Sequence, residues 1–385
     1  MSFPIKINRR KLLTRREDIP WMDTMVLNPA MIEQNGVLHM LFRATGTNGG
    51  NPKDPLPYPI CLGYGKSTDG GKTWEFDTDR PALMPKGETE PEKLYVTNVN
   101  GEQVVNHANG CIEDPRLFWL EGCCYMTVAC RLFAPGAYWI CDCPTQCAPA
   151  WALEPNPFGK AARENLTVTV LFRVDLTALE AHDYDNAFCY VTNLTNPDFG
   201  DNRDVILFPE RMMIDGERCY VLLERPSRPN LFPGITEEKP SILITAAKRL
   251  EDFASSAIRR EVFATPQFPW ESNRIGASGP LLKVDDSHWL LGYHGKQDDT
   301  HGYTQSFMLL ENRNDDFPAI ISRKNEEMIR TAEEWEMPGR FRTPCIFVDG
   351  MLRLGDRLVL SYGAADERVG IMDLSFDELI RYLSN

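Results

Sequence analysis

The sequence contains no apolar run long enough to cross a membrane. Across its 385 residues, no stretch approaches the ~18 uninterrupted apolar residues that a membrane-spanning helix needs. The beginning, MSFPIKINRRKLLTRRED, also lacks the apolar segment that separates the basic residues of a secretory signal from its cleavage site. We therefore expect neither a membrane anchor nor export, and we predict a cytoplasmic location.

Basic residues are outnumbered by acidic residues. The chain has 41 lysines and arginines against 55 acidic residues, which gives a net charge of −14. A protein that binds duplex nucleic acid needs a basic face to neutralise phosphates, so this balance argues against a nucleic-acid partner. A local cluster of arginines can coexist with an acidic surface, so a small anionic substrate is compatible with the composition.

A regular metal-binding pattern is missing as well. The eleven cysteines are an odd number, and the densest group, Cys141, Cys143 and Cys147, forms an irregular C-x-C-x3-C with no histidine nearby. A structural zinc site usually shows two C-x2–4-C pairs, or one such pair with a spaced pair of histidines. We predict reduced thiols that are mostly buried, no metal and no cofactor.

What the sequence does contain is a loose internal repeat. Each of five units has a short apolar run, a turn with glycine or acidic residues, a second apolar run and a further strand. The units begin with residues 31–46, 116–132, 211–226, 280–295 and 346–366. Turn pairs such as Asn35-Gly36 and Asp215-Gly216 are typical of β-hairpins. Repeated small sheets of this kind stack around an axis in a β-propeller.

We therefore predict an all-β fold, a five-bladed β-propeller that forms a single catalytic domain over residues 1–385. A pair of β-sandwiches is the alternative. The insertion from about Pro135 to Asn165, after the start of the second blade, is rich in proline and alanine and is expected to be a long loop or lid. Helical periodicity is weak except in FDELIRYLSN, which predicts a short C-terminal helix.

One motif carries two adjacent carboxylates in the segment GCIEDPR, residues 110–116. If the segment is extended, Glu113 and Asp114 point to opposite sides, so at most one of them faces a given cavity. Pro115 removes one backbone donor and restricts φ, which would hold an acid rigidly at the start of a blade. The alternative interpretation is a turn with a surface salt bridge.

Charged residues also end the apolar runs of several units. Four of them are basic: Arg43, Arg211, Arg225 and His294. Equivalent ends of all blades converge on the central channel of a propeller, so these side chains are expected to meet there and bind an anion. Asn28 and Asp366, from the first and last units, suit the hydroxyls of a sugar. Singly, each such residue is more often structural.

Nine motifs occur in one order along the chain: NPAMI, LFRA, STDGGKTW, GCIEDPRL, ILFPERM, LLERP, IGASGPLL, GYHG and LSYGAAD. Together they resemble glycoside hydrolase family 130, which contains β-mannoside phosphorylases and related β-mannosidases. The resemblance extends from about Asn28 to Asp373. It implies a five-bladed β-propeller, in agreement with the count of repeat units.

The resemblance also implies a role for each matching residue. Asp114 falls on the general acid, whose proton is thought to reach the glycosidic oxygen through the mannose 3-hydroxyl. The positions that bind mannose map to Asn28, Arg43 and Asp366, and we also predict Glu113 and Tyr293 as substrate-binding residues. The positions around phosphate map to Arg211, Arg225 and His294.

The predicted site favours phosphorolysis over hydrolysis. An inverting glycosidase needs an acid and a base that activates water, whereas a phosphorylase uses phosphate as its nucleophile and needs a basic pocket. We predict an inverting phosphorylase that converts a β-mannoside and inorganic phosphate into α-mannose 1-phosphate. Mannobiose, mannosyl-glucose and manno-oligosaccharides are the candidate substrates, and a homo-oligomer is compatible with the sequence.

Three departures from the family pattern leave an alternative open. Many phosphorylases of the family have a second arginine shortly before the S-x-D-G turn, whereas residues 59–62 of this chain contain none. Arg211 replaces the usual lysine after F-P-E, and Glu224 replaces the usual histidine before R-P. Glu224 is therefore the candidate base of a β-mannosidase that uses water. A propeller that binds sugar without catalysis is the third hypothesis.

Overall fold

Five antiparallel sheets are arranged as the blades of a β-propeller. A computed structural model describes residues 3–48, 54, 56–137, 139–140 and 143–385. The predicted all-β, five-bladed architecture is confirmed. In the first blade the strands are β2 (Met25–Gln34), β3 (Val37–Thr45), β4 (Ile60–Ser67) and β5 (Glu75–Phe76). A separate two-stranded sheet follows, with β6 (Tyr95–Thr97) and β7 (Gln103–Val105).

The second and third blades contain the next nine strands. The second blade is built from β8 (Cys111–Leu120), β9 (Cys123–Arg131), β10 (Val168–Val174) and β11 (Phe188–Asn193). The third is built from β12 (Asn202–Leu207), β13 (Met212–Ile214), β14 (Glu217–Pro226), β15 (Ile242–Ala247) and β16 (Arg260–Ala264). In the third blade β13 pairs only with β14, so β12 and not β13 is the inner strand.

The last two blades complete the ring. The fourth consists of β17 (Arg274–Ala277), β18 (Leu282–Lys283), β19 (His288–Lys296), β20 (Tyr303–Arg313) and β21 (Asp316–Arg323). The fifth consists of β22 (Ile346–Leu354), β23 (Arg357–Ala364), β24 (Arg368–Ser375) and β1 (Asn8–Thr14). The N-terminal strand β1 pairs antiparallel with β24, so the two ends of the ring close in one sheet. A single catalytic domain over residues 1–385 stays a prediction.

Helices are short in the described residues. The α-helices are α1 (Gly159–Arg163), α2 (Leu176–Glu180), α3 (Tyr184–Ala187) and α4 (Phe376–Ser384). Short 3-10 helices cover Pro91–Lys93, His107–Asn109, Ala150–Leu153, Pro197–Phe199, Pro229–Leu231, Leu250–Ala254, Pro269–Glu271 and Glu334–Glu336. Helix α4 confirms the predicted C-terminal helix: Ser375 caps it by accepting from the Glu378 amide, and Leu379 is buried. No helix of the described chain is long and apolar enough to span a bilayer.

Local chemistry explains the hairpins, and packing between blades supplies the core. Asn35 and Gly36 have φ angles of 53° and 83°, as a tight two-residue hairpin turn requires. Asp215 and Gly216 have φ angles of 54° and 76° in the third blade. Buried aliphatic side chains of neighbouring blades form shared clusters, such as the one that joins the first and second blades.

The described part of the insertion after β9 is mostly without regular secondary structure, as the predicted long loop requires, and several of its residues are packed. It contains the 3-10 helix Ala150–Leu153 and helix α1. Phe133, Ala152 and Ala162 are buried together with Leu94, which gives the segment a small core of its own. Cys141 lies outside the described residues. Among the residues that the structure describes, no group of three or more His, Cys, Asp or Glu side chains could hold a metal.

Candidate active site

A β-bulge recurs on the inner strands, at the point where each strand faces the channel. The register slips between Leu27 and Ala30 in β2, between Glu113 and Arg116 in β8, and between Arg203 and Ile206 in β12. Each slip contains one polar residue in the left-handed region: Asn28 at φ 47°, Asp114 at 51° and Asp204 at 56°. Asparagine and aspartate tolerate this conformation better than most residues, and a bulge redirects the side chain that it carries. The bulges therefore aim three polar side chains at the channel.

Asp114 lies at the centre of these side chains. Its Oδ1 atom accepts hydrogen bonds from Asn28 Nδ2 at 2.8 Å and from Arg43 Nη1 at 3.1 Å. Asp114 is only 6% exposed, so these contacts are largely shielded from bulk water. The three residues come from two blades, and they form the constellation that the sequence predicts.

Glu113 shares Arg43 with its neighbour Asp114, because the bulge at Asp114 interrupts the alternation expected of an extended strand. Its Oε2 atom lies 3.2 Å from Arg43 Nη1 and 3.2 Å from Arg203 Nη1, and Cys111 donates to Oε1. Burial raises the pKa of Glu113, but these arginines together with Arg131 lower it to about 2. Glu113 is thus a charged support that orients arginines. Glu113 does not line the cavity described next, so its contact with substrate stays a prediction.

A cavity of about 460 Å³ opens beside Asp114. Five predicted site residues line it: Asn28, Arg43, Asp114, Arg225 and Asp366. The other lining residues are Leu27, Asp201, Arg203, Asp204, Ser227, Arg274, Lys296, Tyr303, Thr343, Cys345 and Phe347. Asp366 has φ 56° and accepts from the Cys345 thiol. Burial, opposed by the charge of Arg43, raises the pKa of Asp366 above its usual range.

Cationic side chains also line the cavity, and together they form a cationic wall: Arg203, Arg225, Arg274 and Lys296. Arg225 is held there by two contacts to Asp204 Oδ2, from Nε at 2.7 Å and from Nη2 at 2.7 Å. Arg274 on β17 and Lys296 on β19 stand directly opposite each other in the strand register. Lys296 is paired with Asp299, whose Oδ1 lies 2.6 Å from Nζ, so the arginines supply most of the unbalanced positive charge of this wall. This wall therefore has the charge that a phosphate-sized anion needs.

His294 lies behind the cationic wall. Its Nε2 atom is 3.3 Å from Asp204 Oδ2, and its ring is fully buried beside Phe347. Burial lowers the pKa of His294, although the Asp204 charge opposes this shift. His294 does not line the cavity in the structure, so direct contact with phosphate stays a prediction for this residue.

Arg211 is displaced from the site, which corrects its predicted role. Its guanidinium stacks on the ring of Tyr220, and its Nε lies 2.8 Å from Glu121 Oε1. The sequence unit that begins at Arg211 leads into β13, whereas the channel is lined by β12. Arg203, at the start of β12, occupies the cavity instead.

Tyr293 is also turned away from the cavity, because it neighbours His294 on a strand and projects to the opposite face. Its hydroxyl donates to Glu271 Oε1 at 2.9 Å, and Arg323 Nη2 binds the same carboxylate at 2.6 Å. The fifth blade repeats this arrangement with Tyr362, Glu336 and Arg9. Tyr293 is therefore part of a repeated structural triad, which corrects its predicted contact with substrate.

Tyr293→Phe is expected to lower the free energy of unfolding by about 1–3 kcal/mol, because the buried Glu271 carboxylate loses a donor. Activity should be unchanged. Denaturant titration and steady-state kinetics measure the two effects. Tyr362→Phe, the equivalent change in the fifth blade, should give the same result. A loss of activity in Tyr293→Phe but not in Tyr362→Phe would instead support contact between Tyr293 and the substrate.

The cavity residues that the sequence analysis misses include Arg203, Asp204, Arg274 and Lys296. A signal for the first two exists, since Arg203-Asp204 precedes the apolar run VILF much as Glu113-Asp114 precedes the apolar run that begins at Leu117. Lys296 directly follows the GYHG motif, and Arg274 directly precedes IGAS. Polar residues that immediately flank an inner strand are thus the signal to look for.

Comparisons with known proteins agree with the family motifs. The model of glycoside hydrolase family 130, described as β-1,4-mannooligosaccharide phosphorylase, matches residues 250–385. The 1,2-β-oligomannan phosphorylase of Thermoanaerobacter sp. (strain X514) is 24% identical over 374 residues, which cover 97% of this chain and 98% of the relative. A β-1,2-mannobiose phosphorylase from the same organism is 24% identical over 95% of each chain. The β-1,2-mannobiose phosphorylase of Listeria innocua, solved with β-1,2-mannobiose, superimposes with a TM-score of 0.62 at 18% identity and covers 98% of this chain and 99% of that one.

Proposed function

We propose that this chain, a member of glycoside hydrolase family 130, is an inverting phosphorylase that cleaves a β-mannoside with inorganic phosphate and releases α-mannose 1-phosphate. One observation carries the proposal: a single cavity holds the carboxyl group of Asp114 and a wall of cationic side chains. The relatives named above are phosphorylases of β-linked mannosides, which supports the substrate class.

Asp114 is the proposed general acid. Oδ1 already accepts from two donors, so a proton on this carboxyl would sit on Oδ2. Donation of that proton to the glycosidic oxygen, through the mannose 3-hydroxyl as the family resemblance implies, assists departure of the shortened sugar. Asn28 and Arg43 orient the carboxyl, and Asp366 offers a second carboxyl to the sugar hydroxyls across the cavity.

Phosphate is the proposed nucleophile, and its site is the wall formed by Arg203, Arg225 and Arg274. Guanidinium groups bind phosphate oxygens through charge-assisted, often bidentate hydrogen bonds. An anion held in line with the anomeric carbon attacks from the face opposite the leaving group, which inverts the configuration from β to α. Phosphate is already anionic, so no protein base is required, and it acts as a co-substrate and not as a cofactor.

The hydrolytic alternative relies on Glu224 as a base, and the surroundings of that residue argue against it. Its side chain is only 1% exposed. Oε1 accepts from Thr245 at 2.7 Å and from Arg260 at 2.6 Å, while Oε2 accepts from Asn202 at 2.5 Å. Three of the roughly four acceptor positions of this carboxylate are occupied, and Glu224 is not among the residues that line the cavity. Glu224 is better explained as a structural residue, because its hydrogen bonds link β14 to β12, β15 and β16 within the third blade.

The decisive experiment follows cleavage of β-1,2-mannobiose with and without inorganic phosphate, with β-1,4-mannobiose and mannosyl-glucose in parallel. We expect turnover only with phosphate, and phosphorus NMR should detect an α-configured mannose 1-phosphate. Release of mannose at an equal rate without phosphate would establish hydrolysis instead. No turnover of any of these sugars, with sugar binding retained, would favour a non-catalytic binding propeller. A cytoplasmic location and assembly into a homo-oligomer stay predictions.

A further inference from the structure

Arg116 is a buried arginine that the proposed chemistry does not use. It lies on β8, two residues after Asp114, and its side chain is 2% exposed. Burial of a guanidinium is costly unless its donors are satisfied and its charge is balanced. The groups that contact Arg116 therefore indicate which part of the structure this residue stabilises.

The guanidinium of Arg116 contacts four blades. Nε donates to the carbonyl of Ser278 in the fourth blade at 2.7 Å. Nη1 donates to the carbonyl of Asp114 in its own blade at 3.1 Å. Nη2 lies 3.2 Å from Asp204 Oδ1 in the third blade and 2.9 Å from Asp349 Oδ1 in the fifth. Arg116, Asp204 and Asp349 are nearly inaccessible to water. Asp204 is shared with Arg225, and burial raises the pKa of Asp349 well above its usual range although the Arg116 charge opposes this shift.

The contact to the Asp114 carbonyl bears on the general acid directly. Asp114 occupies the left-handed region with φ 51°, a conformation that persists only where surrounding contacts enforce it. Arg116 anchors the peptide unit on the C-terminal side of this residue, and Pro115 restricts the next φ. The orientation of the Asp114 side chain therefore depends on where the Arg116 guanidinium lies.

The contact to Asp204 extends the same network to the phosphate wall. Asp204 uses Oδ1 for Arg116 and Oδ2 for Arg225, and His294 lies against Oδ2 as well. One carboxylate thus bridges two guanidinium groups. A shift of Arg116 would move Asp204 and, through it, Arg225.

We propose that Arg116 is a positioning residue that holds the general acid Asp114 and the anion-binding Arg225 at their working separation. The inference rests on the proposed phosphorolysis, and it adds a residue that touches neither sugar nor phosphate. The Arg116 guanidinium contacts both the Asp114 carbonyl and the Asp204 carboxylate. A single substitution should therefore impair proton donation and anion binding together.

The test compares Arg116→Lys with Arg323→Lys. Arg323 is also a buried arginine paired with a buried glutamate, but it belongs to the structural triad of Tyr293. Lysine retains the positive charge, yet its single ammonium cannot reach four partners in the planar arrangement of a guanidinium. We expect Arg116→Lys to lower kcat by about 10²-fold, the scale of a 1 Å misplacement of catalytic groups. Its Kd for inorganic phosphate, measured by calorimetry, should rise about tenfold.

The control separates positioning from stability. Arg323→Lys should lower the melting temperature comparably and leave kcat and the phosphate Kd unchanged. A folded Arg116→Lys with wild-type kcat and Kd would overturn the proposal, as would an equal kinetic loss in Arg323→Lys. If Arg116→Lys does not fold, Asp204→Asn tests the same link, because asparagine tolerates a φ of 56°. Unchanged phosphate affinity in Asp204→Asn would equally refute the proposal.

Failure of the proposed function gives a different result. In that case the wild-type protein neither binds phosphate in calorimetry nor turns over a mannoside with it. Phosphate binding and turnover in the wild type, combined with no effect of the Arg116 and Asp204 variants, would contradict only the positioning role.

Discussion

Asp114→Asn is expected to reduce kcat for phosphorolysis by about 10²–10⁴-fold, the usual contribution of a general acid. The amide keeps an oxygen that accepts from Asn28 and Arg43, and asparagine tolerates the left-handed φ of 51°. The fold and the cavity should therefore survive, while the transferable proton is lost. Steady-state kinetics on a mannobiose, with thermal unfolding of the same preparation, measures both quantities.

Asp215→Asn is the matched control for this change. It makes the same substitution at a similar φ of 54°, but in an exposed hairpin turn of the third blade. Its kcat should equal that of the wild type. A nitrophenyl β-mannoside provides a further check, because its leaving group needs little protonation and the defect of Asp114→Asn should shrink. An undiminished defect with this substrate, or loss of folding in Asp114→Asn, would count against acid catalysis.

Arg203→Gln is expected to raise the KM for phosphate by about 10- to 100-fold. A hydrogen bond to a charged group contributes roughly 1.5–3 kcal/mol, and each 1.4 kcal/mol corresponds to a factor of ten. The side chain of Arg203 is 25% exposed, so it reaches the cavity while remaining anchored to Glu113 and Thr167. Initial rates over a series of phosphate concentrations, at saturating mannoside, give this constant.

Arg211→Gln should leave the phosphate KM unchanged, and it is matched in residue type and exposure, since Arg211 is 30% exposed. The pair decides between the assignment by motif, which favours Arg211, and the assignment by geometry, which favours Arg203. A raised KM in Arg211→Gln with a normal value in Arg203→Gln would reverse our assignment of the phosphate wall.

The architecture is predictable from sequence because its signals are local. Hairpin turns such as Asn35-Gly36 and the five apolar repeat units depend on a few neighbouring residues each. The cluster of Asn28, Arg43 and Asp114 is predictable for a related reason: each lies within or beside an apolar run whose end reaches the channel. A five-bladed ring leaves little freedom in where such ends meet.

The remaining site residues depend on register, which local sequence does not reveal. Tyr293 and His294 are adjacent, so only one of them can face the axis, and a shift of one residue would exchange them. Arg211 precedes a strand that resembles an inner strand in sequence, yet the ladder places β12 inside it. The insertion after β9 shows the same limit, because its apolar residues are scattered and only three-dimensional packing brings them together.

Closure of the ring through β1 and β24 has a consequence for biosynthesis. Asn8 and Asp373 are hydrogen-bonded partners although 365 positions separate them in the chain. Strand β1 is translated long before β24, so it stays unpaired until β24 has left the ribosome. Pairing between such distant segments slows folding. During this time the backbone groups of β1 are exposed. A chaperone or a second nascent chain can therefore bind this strand before β24 pairs with it.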